Sequence, residues 1–134
     1  MATSKVTVHF PCCPVDRVWR IVTDLSHTTW RSDLKQVEML DEAHFIEHTK
    51  SGYATNFTIT SCEPSRLWAF TMENSNMSGS WEGIFEASES GTRLHCTETV
   101  NAKHWWMRPF VPSYLKRQQK RYLDDLRREV LHPS

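Results

Sequence analysis

The chain has 134 residues, 39% of them hydrophobic and 11% aromatic, enough for one compact domain over 1–134 with a real core and too few for two. Lysine plus arginine and aspartate plus glutamate each number 16, so the net charge is zero, and nucleic acid or an acidic membrane meets no general basic surface. Met1 to Val8 has no apolar run of secretory length and no stretch approaches the roughly 20 apolar residues of a membrane span, so a cytoplasmic protein without stable membrane insertion is expected.

Lys5 to Phe10 alternates, with Val6, Val8 and Phe10 on one side, as a half-buried strand does. Pro11 stops it, and Pro14 suits the first turn of a helix whose apolar residues are Val15, Val18, Trp19, Val22 and Leu25. A second short helical stretch is predicted around His27 to Leu34. From Val37 the period becomes two, broken by turn signals at Asp41-Glu42-Ala43, Lys50-Ser51-Gly52, Glu63-Pro64-Ser65, Asn74 to Ser78 and Ser90-Gly91. Six hairpin-connected strands follow from that punctuation. After Pro109 and Pro112, the segment Ser113 to Leu131 lacks Gly and Pro and carries Leu115, Gln119, Tyr122, Leu123, Leu126 and Val130 down one side, an amphipathic closing helix.

Cross-strand partners in an antiparallel pair have a constant sum of residue numbers and share a face, which lets the hairpins be registered from sequence. The last hairpin pairs Phe85 with Leu94, Gly83 with Cys96 and Trp81 with Glu98; the one before it pairs Trp81 with Met72, Gly83 with Phe70 and Phe85 with Trp68. Earlier hairpins set Phe70 against Ile59, Met72 against Phe57, Phe45 beside Phe57 and Met39, and Glu47 beside Thr55 and Val37. One face then carries Met39 and Ile59 together with Phe45, Phe57, Trp68, Phe70, Met72, Trp81, Phe85 and Cys96, and the closing helix adds Tyr122. The other face, with Glu38, Thr58, Thr71, Glu82, Glu86, Arg93 and His95, is polar. A one-residue slip would bury that polar set, so the faces are strongly specified.

The order strand, two helices, six strands, long helix resembles the Bet v 1-like or START-like (SRPBCC) superfamily, especially its small bacterial branch of polyketide cyclase/dehydrase and lipid-transport proteins. The resemblance covers essentially the whole chain and rests on Pro14-Val15-Asp16-Arg17-Val18-Trp19 through Thr23-Asp24, Trp30 before Val37-Glu38, Gly91-Thr92-Arg93-Leu94 and the final helix. It implies an α+β helix-grip fold, a seven-stranded curved antiparallel sheet (β-α-α-β6-α) around the C-terminal helix. It also implies a gap between sheet and helix, with Phe45, Phe57, Trp68, Phe70, Met72, Trp81, Phe85, Cys96 and Tyr122 as ligand-contacting candidates; the alternative is that the same side chains fill a solid core.

Two carboxylates, Glu47 and Glu98, fall on the apolar face. An unpaired buried carboxylate is costly, so either the space holds water and a polar ligand group, or each glutamate sits at a strand end near solvent. Both are the candidate catalytic residues if the protein is an enzyme, as general acid or base. Cys96 reads as a small core residue more than a nucleophile, because its neighbour His95 points to the other face. His44 and His48 have helical chelate spacing, but on a strand four residues span about 13 Å. With no other His, Cys or acidic cluster at ligand spacing, no metal is predicted, and the four glycines leave no phosphate loop or dinucleotide fingerprint and hence no predicted cofactor.

The four cysteines read as reduced thiols, and the basic run Lys116 to Arg121 as a solvated helix face answered by Asp124, Asp125 and Glu129. Trp105, Trp106 and Phe110, just before the closing helix, are read either as a gate or partner surface at the cavity mouth or as packing under the helix. The function expected is binding of a small hydrophobic, lipid-like or aromatic molecule by a monomer or weak homodimer. The alternative is a polyketide cyclase- or dehydratase-like enzyme using a cavity glutamate.

Overall fold

The structure, a computed structural model, describes residues 1–132. Strand β1 (Ala2–Pro11) leads to helix α1 (Val15–Thr23), and strands β2 (Leu34–Met39), β3 (His44–Thr49), β4 (Ala54–Glu63), β5 (Leu67–Glu73), β6 (Met77–Ser88) and β7 (Gly91–Ala102) follow. A 3₁₀ turn (Trp105–Phe110) then enters the long helix α2 (Val111–Leu131). All seven strands form one antiparallel sheet in the order β1-β7-β6-β5-β4-β3-β2, curved around α2 as the α+β helix-grip fold requires.

Pro14 caps α1 with extended backbone, and the helix turns Val18 and Val22 inward. It ends at Asp24, whose carboxylate accepts hydrogen bonds from the Ser26 amide and hydroxyl. The predicted second helix does not form. Residues 24–33 make successive turns, through His27 N–H to Asp24 O and Arg31 N–H to Thr28 O. Tertiary bonds win over helix propensity here, because the Ser32 backbone and the Arg31 side chain are held by partners on other elements.

The expected pairs Phe85 with Leu94, Gly83 with Cys96, Trp81 with Glu98, Ile59 with Phe70, Phe57 with Met72, Phe45 with Phe57 and Glu47 with Thr55 are all present. Between β5 and β6 the register differs by two: Phe70 faces Trp81, and Trp68 faces Gly83. The turn is shorter than its Asn74 to Ser78 signal implied, because the Asn74 side chain accepts from the Asn76 and Met77 amides and lets β6 start at Met77. A two-residue slip keeps every side chain on its face, so the inward set survives.

The packed core lies at the α1 end, where Val8, Phe10, Val18, Phe85, Leu94 and Leu126 are buried. Helix α2 contributes Leu115, Gln119, Leu123, Leu126 and Val130 as its pattern predicted, and buries Asp125 as well. That buried carboxylate pairs with the exposed Arg128 at 3.2 Å, and not with the basic run it was expected to answer; Asp124 pairs with Lys120 of that run at 2.8 Å. Met39, placed inward by the alternation, is 49% exposed because it ends the edge strand β2 away from α2.

Candidate functional site

Away from the core, the concave face and α2 stand apart around a pocket of about 160 Å³. Its apolar wall is an aromatic chain running across adjacent strands: Phe45 stacks on Phe57 at 4.8 Å, Phe57 meets Phe70 edge-on at 5.1 Å, and Phe70 stacks on Trp81 at 5.4 Å. Tyr122 of α2 extends the chain, 6.0 Å from Trp81 and 5.6 Å from Trp30. Trp81 reaches this position because its neighbour two residues on is Gly83; a Cβ there would lie 2.5 Å from the indole. Trp68, Met72 and Cys96 also line the pocket. Phe85 does not: it packs edge-on against Trp19 at 5.0 Å in the core, because its position on β6 lies on the α1 side of the pocket.

The polar end holds both predicted glutamates. Neither is a solvated strand end: burial lifts both carboxyls above the ordinary range. Glu47 receives the Arg31 guanidinium at 3.4 Å, and Arg31 also grips Asp33 through two bonds of 3.2 and 3.1 Å. Burial opposes the charge on Arg31, but Glu47 and Asp33 outweigh it and raise its pKa, so it stays a cation. Its guanidinium lies 5.0 Å from the Tyr122 ring centre and 5.9 Å from that of Trp30, within cation–π range.

Glu98 is different. Among the described residues, no ion pair or hydrogen bond reaches its carboxyl. Desolvation pushes it up to about 7, against the pull of Arg31 and with a further push from Glu47. Its cross-strand neighbours are Trp81 on β6 and Ser4 on β1. The Ser4 hydroxyl donates to Gln119 Oε1 at 2.5 Å, which leaves the Gln119 amide nitrogen, buried at the pocket wall, with no partner. The Cys96 thiol is pushed up to about 12 by burial and then by Glu98, which holds it as an unreactive thiol at neutral pH.

Above this pocket lies an outer hollow of about 360 Å³. The two share Thr49, Thr55, Asn74, Met77, Val100, Tyr114 and Gln118, which form the neck between them. Tyr53, Trp106, Met107 and Phe110 line the outer hollow. Trp106 is 57% and Phe110 68% exposed, and Trp105 is 77% exposed beside it, so the tryptophans do not pack under the helix. His44 and His48 lie on β3 as expected, each bonded to its own carboxylate, Asp41 and Glu38 respectively.

Sequence reasoning missed Arg31 and Asp33, which lie in the stretch misread as a helix, and it read Gln119 only as part of an apolar stripe. The one available signal for Gln119 was a polar residue at a core position of α2. For Arg31, nothing in the periodicity of its segment marks it as buried.

The family model described as polyketide cyclase / dehydrase and lipid transport matches residues 1–131. No curated protein matches the sequence. Among solved structures, a START superfamily protein from Mycobacterium smegmatis superposes with a TM-score of 0.81 at 13% identity, over 96% of this chain and 96% of that one. The Zhui aromatase/cyclase from Streptomyces sp. R1128 gives 0.80 at 18% identity, over 96% and 93%. Protein MLL2253 from Mesorhizobium loti gives 0.78 at 14% identity, over 97% and 96%. At these identities the likeness is one of fold.

Proposed function

The chain belongs to the polyketide cyclase / dehydrase and lipid transport family, and from that premise we propose that it binds one small, mainly aromatic or lipid-like molecule between the sheet and α2. The observation that carries this reading is the aromatic-walled pocket with an unpartnered carboxyl, Glu98, at its polar end. A plain core has no use for such a group, whose burial costs several kcal/mol when nothing compensates it. Apolar walls set the size of an occupant and the few polar groups set its orientation. The exposed thiols of Cys12 and Cys62 suit a reducing compartment, which supports a cytoplasmic setting.

The test is calorimetry with a neutral aromatic probe, 2-naphthol, alongside native mass spectrometry of the purified protein. Binding at one site per chain, lost when Val100→Trp fills the neck, is the expected result. A protein that carries no co-purifying molecule and takes up no probe would overturn the reading.

A second reading, a cyclase- or dehydratase-like enzyme, is favoured by one observation: the Glu98 carboxyl is held near 7, where a general acid or base works best. Glu98→Gln separates the two. Turnover of a polyketide-like substrate abolished with affinity intact identifies an enzyme; no turnover by the unaltered protein leaves a binder.

A further inference from the structure

The pocket is acidic beyond what its own cation can balance. Asp33, Glu47 and Glu98 line it together, and Arg31 is the one basic side chain among the lining residues. Arg31 is committed: its guanidinium holds Asp33 and Glu47, and no hydrogen bond or ion pair among the described residues reaches Glu98. Beside Glu98 stand Trp81, its partner across the β6–β7 ladder, and Tyr122, packed edge-on against Trp81. One face of Trp81 is stacked on Phe70, and Tyr122 already has the Arg31 guanidinium 5.0 Å from its ring centre; a carboxylate left unpaired beside such rings is where an organic cation finds its counter-ion, with aromatic surface for the rest of the molecule.

From this geometry we infer that the ligand carries a protonated amine, seated between Glu98 and the rings of Trp81 and Tyr122. This rests on the reading that the pocket takes a small molecule, and adds the chemical class of that molecule. Gln119 refines it. Ser4 fixes the amide through its oxygen and leaves the buried nitrogen as a donor without a partner, and Ser4 is itself the cross-strand neighbour of Glu98. An acceptor oxygen close to the ammonium, as in an amino alcohol, satisfies both groups at once. An anionic ligand meets the opposite conditions, because it would bring a fourth negative charge against one guanidinium already in use.

The groups facing Glu98 are Arg31 from the loop after α1, Glu47 from β3, Cys96 from β7, and Tyr114 and Tyr122 from α2. With the carboxyl titrating near 7, amine binding weakens as the pH falls from 8 to 5, because Glu98 is then protonated while Arg31 keeps its charge.

Three probes of nearly one shape test the inference by calorimetry on the unaltered protein at pH 8: 2-phenylethylamine, 2-phenylethanol and phenylacetate. The amine is expected to bind at least tenfold tighter than the alcohol, with the acid weakest. Glu98→Gln is expected to erase the amine preference, so that amine and alcohol bind within about twofold of each other. An alcohol or acid that binds as tightly as the amine overturns the amine assignment and leaves the pocket reading standing. An amine preference that survives Glu98→Gln also overturns it. Failure of all three probes, with no molecule co-purifying, overturns both readings.

Discussion

Asp125 accepts two hydrogen bonds from Ser32, one from its amide and one from its hydroxyl, both to Oδ2 at 2.8 Å. The helix that roofs the pocket is thereby fastened to the loop that supplies Arg31 and Asp33. Charge-assisted bonds of this kind are the stronger ones, and they join residues whose sequence separation is 93. The loop keeps its non-helical path because its backbone donor is used by the helix and not by its own turn.

Asp125→Ala is expected to cost about 2–4 kcal/mol of stability, since both Ser32 bonds and the 3.2 Å bond from Arg128 to this buried carboxylate are lost together. Ser32→Ala removes only the hydroxyl and is expected to cost about 1 kcal/mol. Urea denaturation of the two variants checks both size and order; equal losses would mean that the hydroxyl carries the whole connection.

Arg31→Met leaves the Asp33 and Glu47 carboxylates facing each other across an apolar pocket. Removing one partner of a buried pair costs about 3–5 kcal/mol, and the loss is expected to shrink at acidic pH as Glu47, whose carboxyl burial already raises, takes up a proton. Arg31→Lys keeps the charge but not the two-bond grip on Asp33, so it is expected to recover only part of the stability. Thermal melts at pH 5 and pH 8 distinguish these outcomes.

Burial lifts Glu98 to about 7 in the folded chain, above the ordinary glutamate value of about 4.3. The folded state therefore holds the proton more tightly than the unfolded chain, so this group stabilises fully below about pH 4, and that contribution is lost as the pH rises through about 7. Glu98→Gln, which cannot ionise, is expected to be more stable than the parent at pH 8 by roughly 1–3 kcal/mol and nearly equal to it at pH 4. A stability difference that does not change with pH would show that Glu98 is not the titrating group.

Gly83→Ala places a Cβ 2.5 Å from one carbon of the Trp81 ring and 2.7 Å from another. The indole has to leave the pocket wall, at a cost of about 1–3 kcal/mol. Indole NMR resonances report the displacement, and an unmoved Trp81 signal in the variant would contradict it.

The sheet was legible because its information is periodic. Alternation puts Phe45, Phe57, Phe70 and Trp81 on one face whatever the turn lengths, and that face became the aromatic wall. The β5–β6 register was not legible in full, because Asn74 tightens its turn through bonds that a turn signal alone does not specify. Glu47 and Glu98 were found by position, but the difference between them was not. It depends on Arg31, whose segment follows no period and takes its path from Asp125 on a distant helix.

Ser4 and Gln119, hydrogen-bonded beside Glu98, are separated in sequence by 115 residues. Arg17, on α1, likewise donates to the Val130 carbonyl near the end of α2. The pocket thus has a wall that closes last: during synthesis, β1 waits through the whole sheet until β7 and α2 emerge from the ribosome. Contacts this far apart form late and slowly. The pocket is therefore whole only once β1, β7 and α2 have come together.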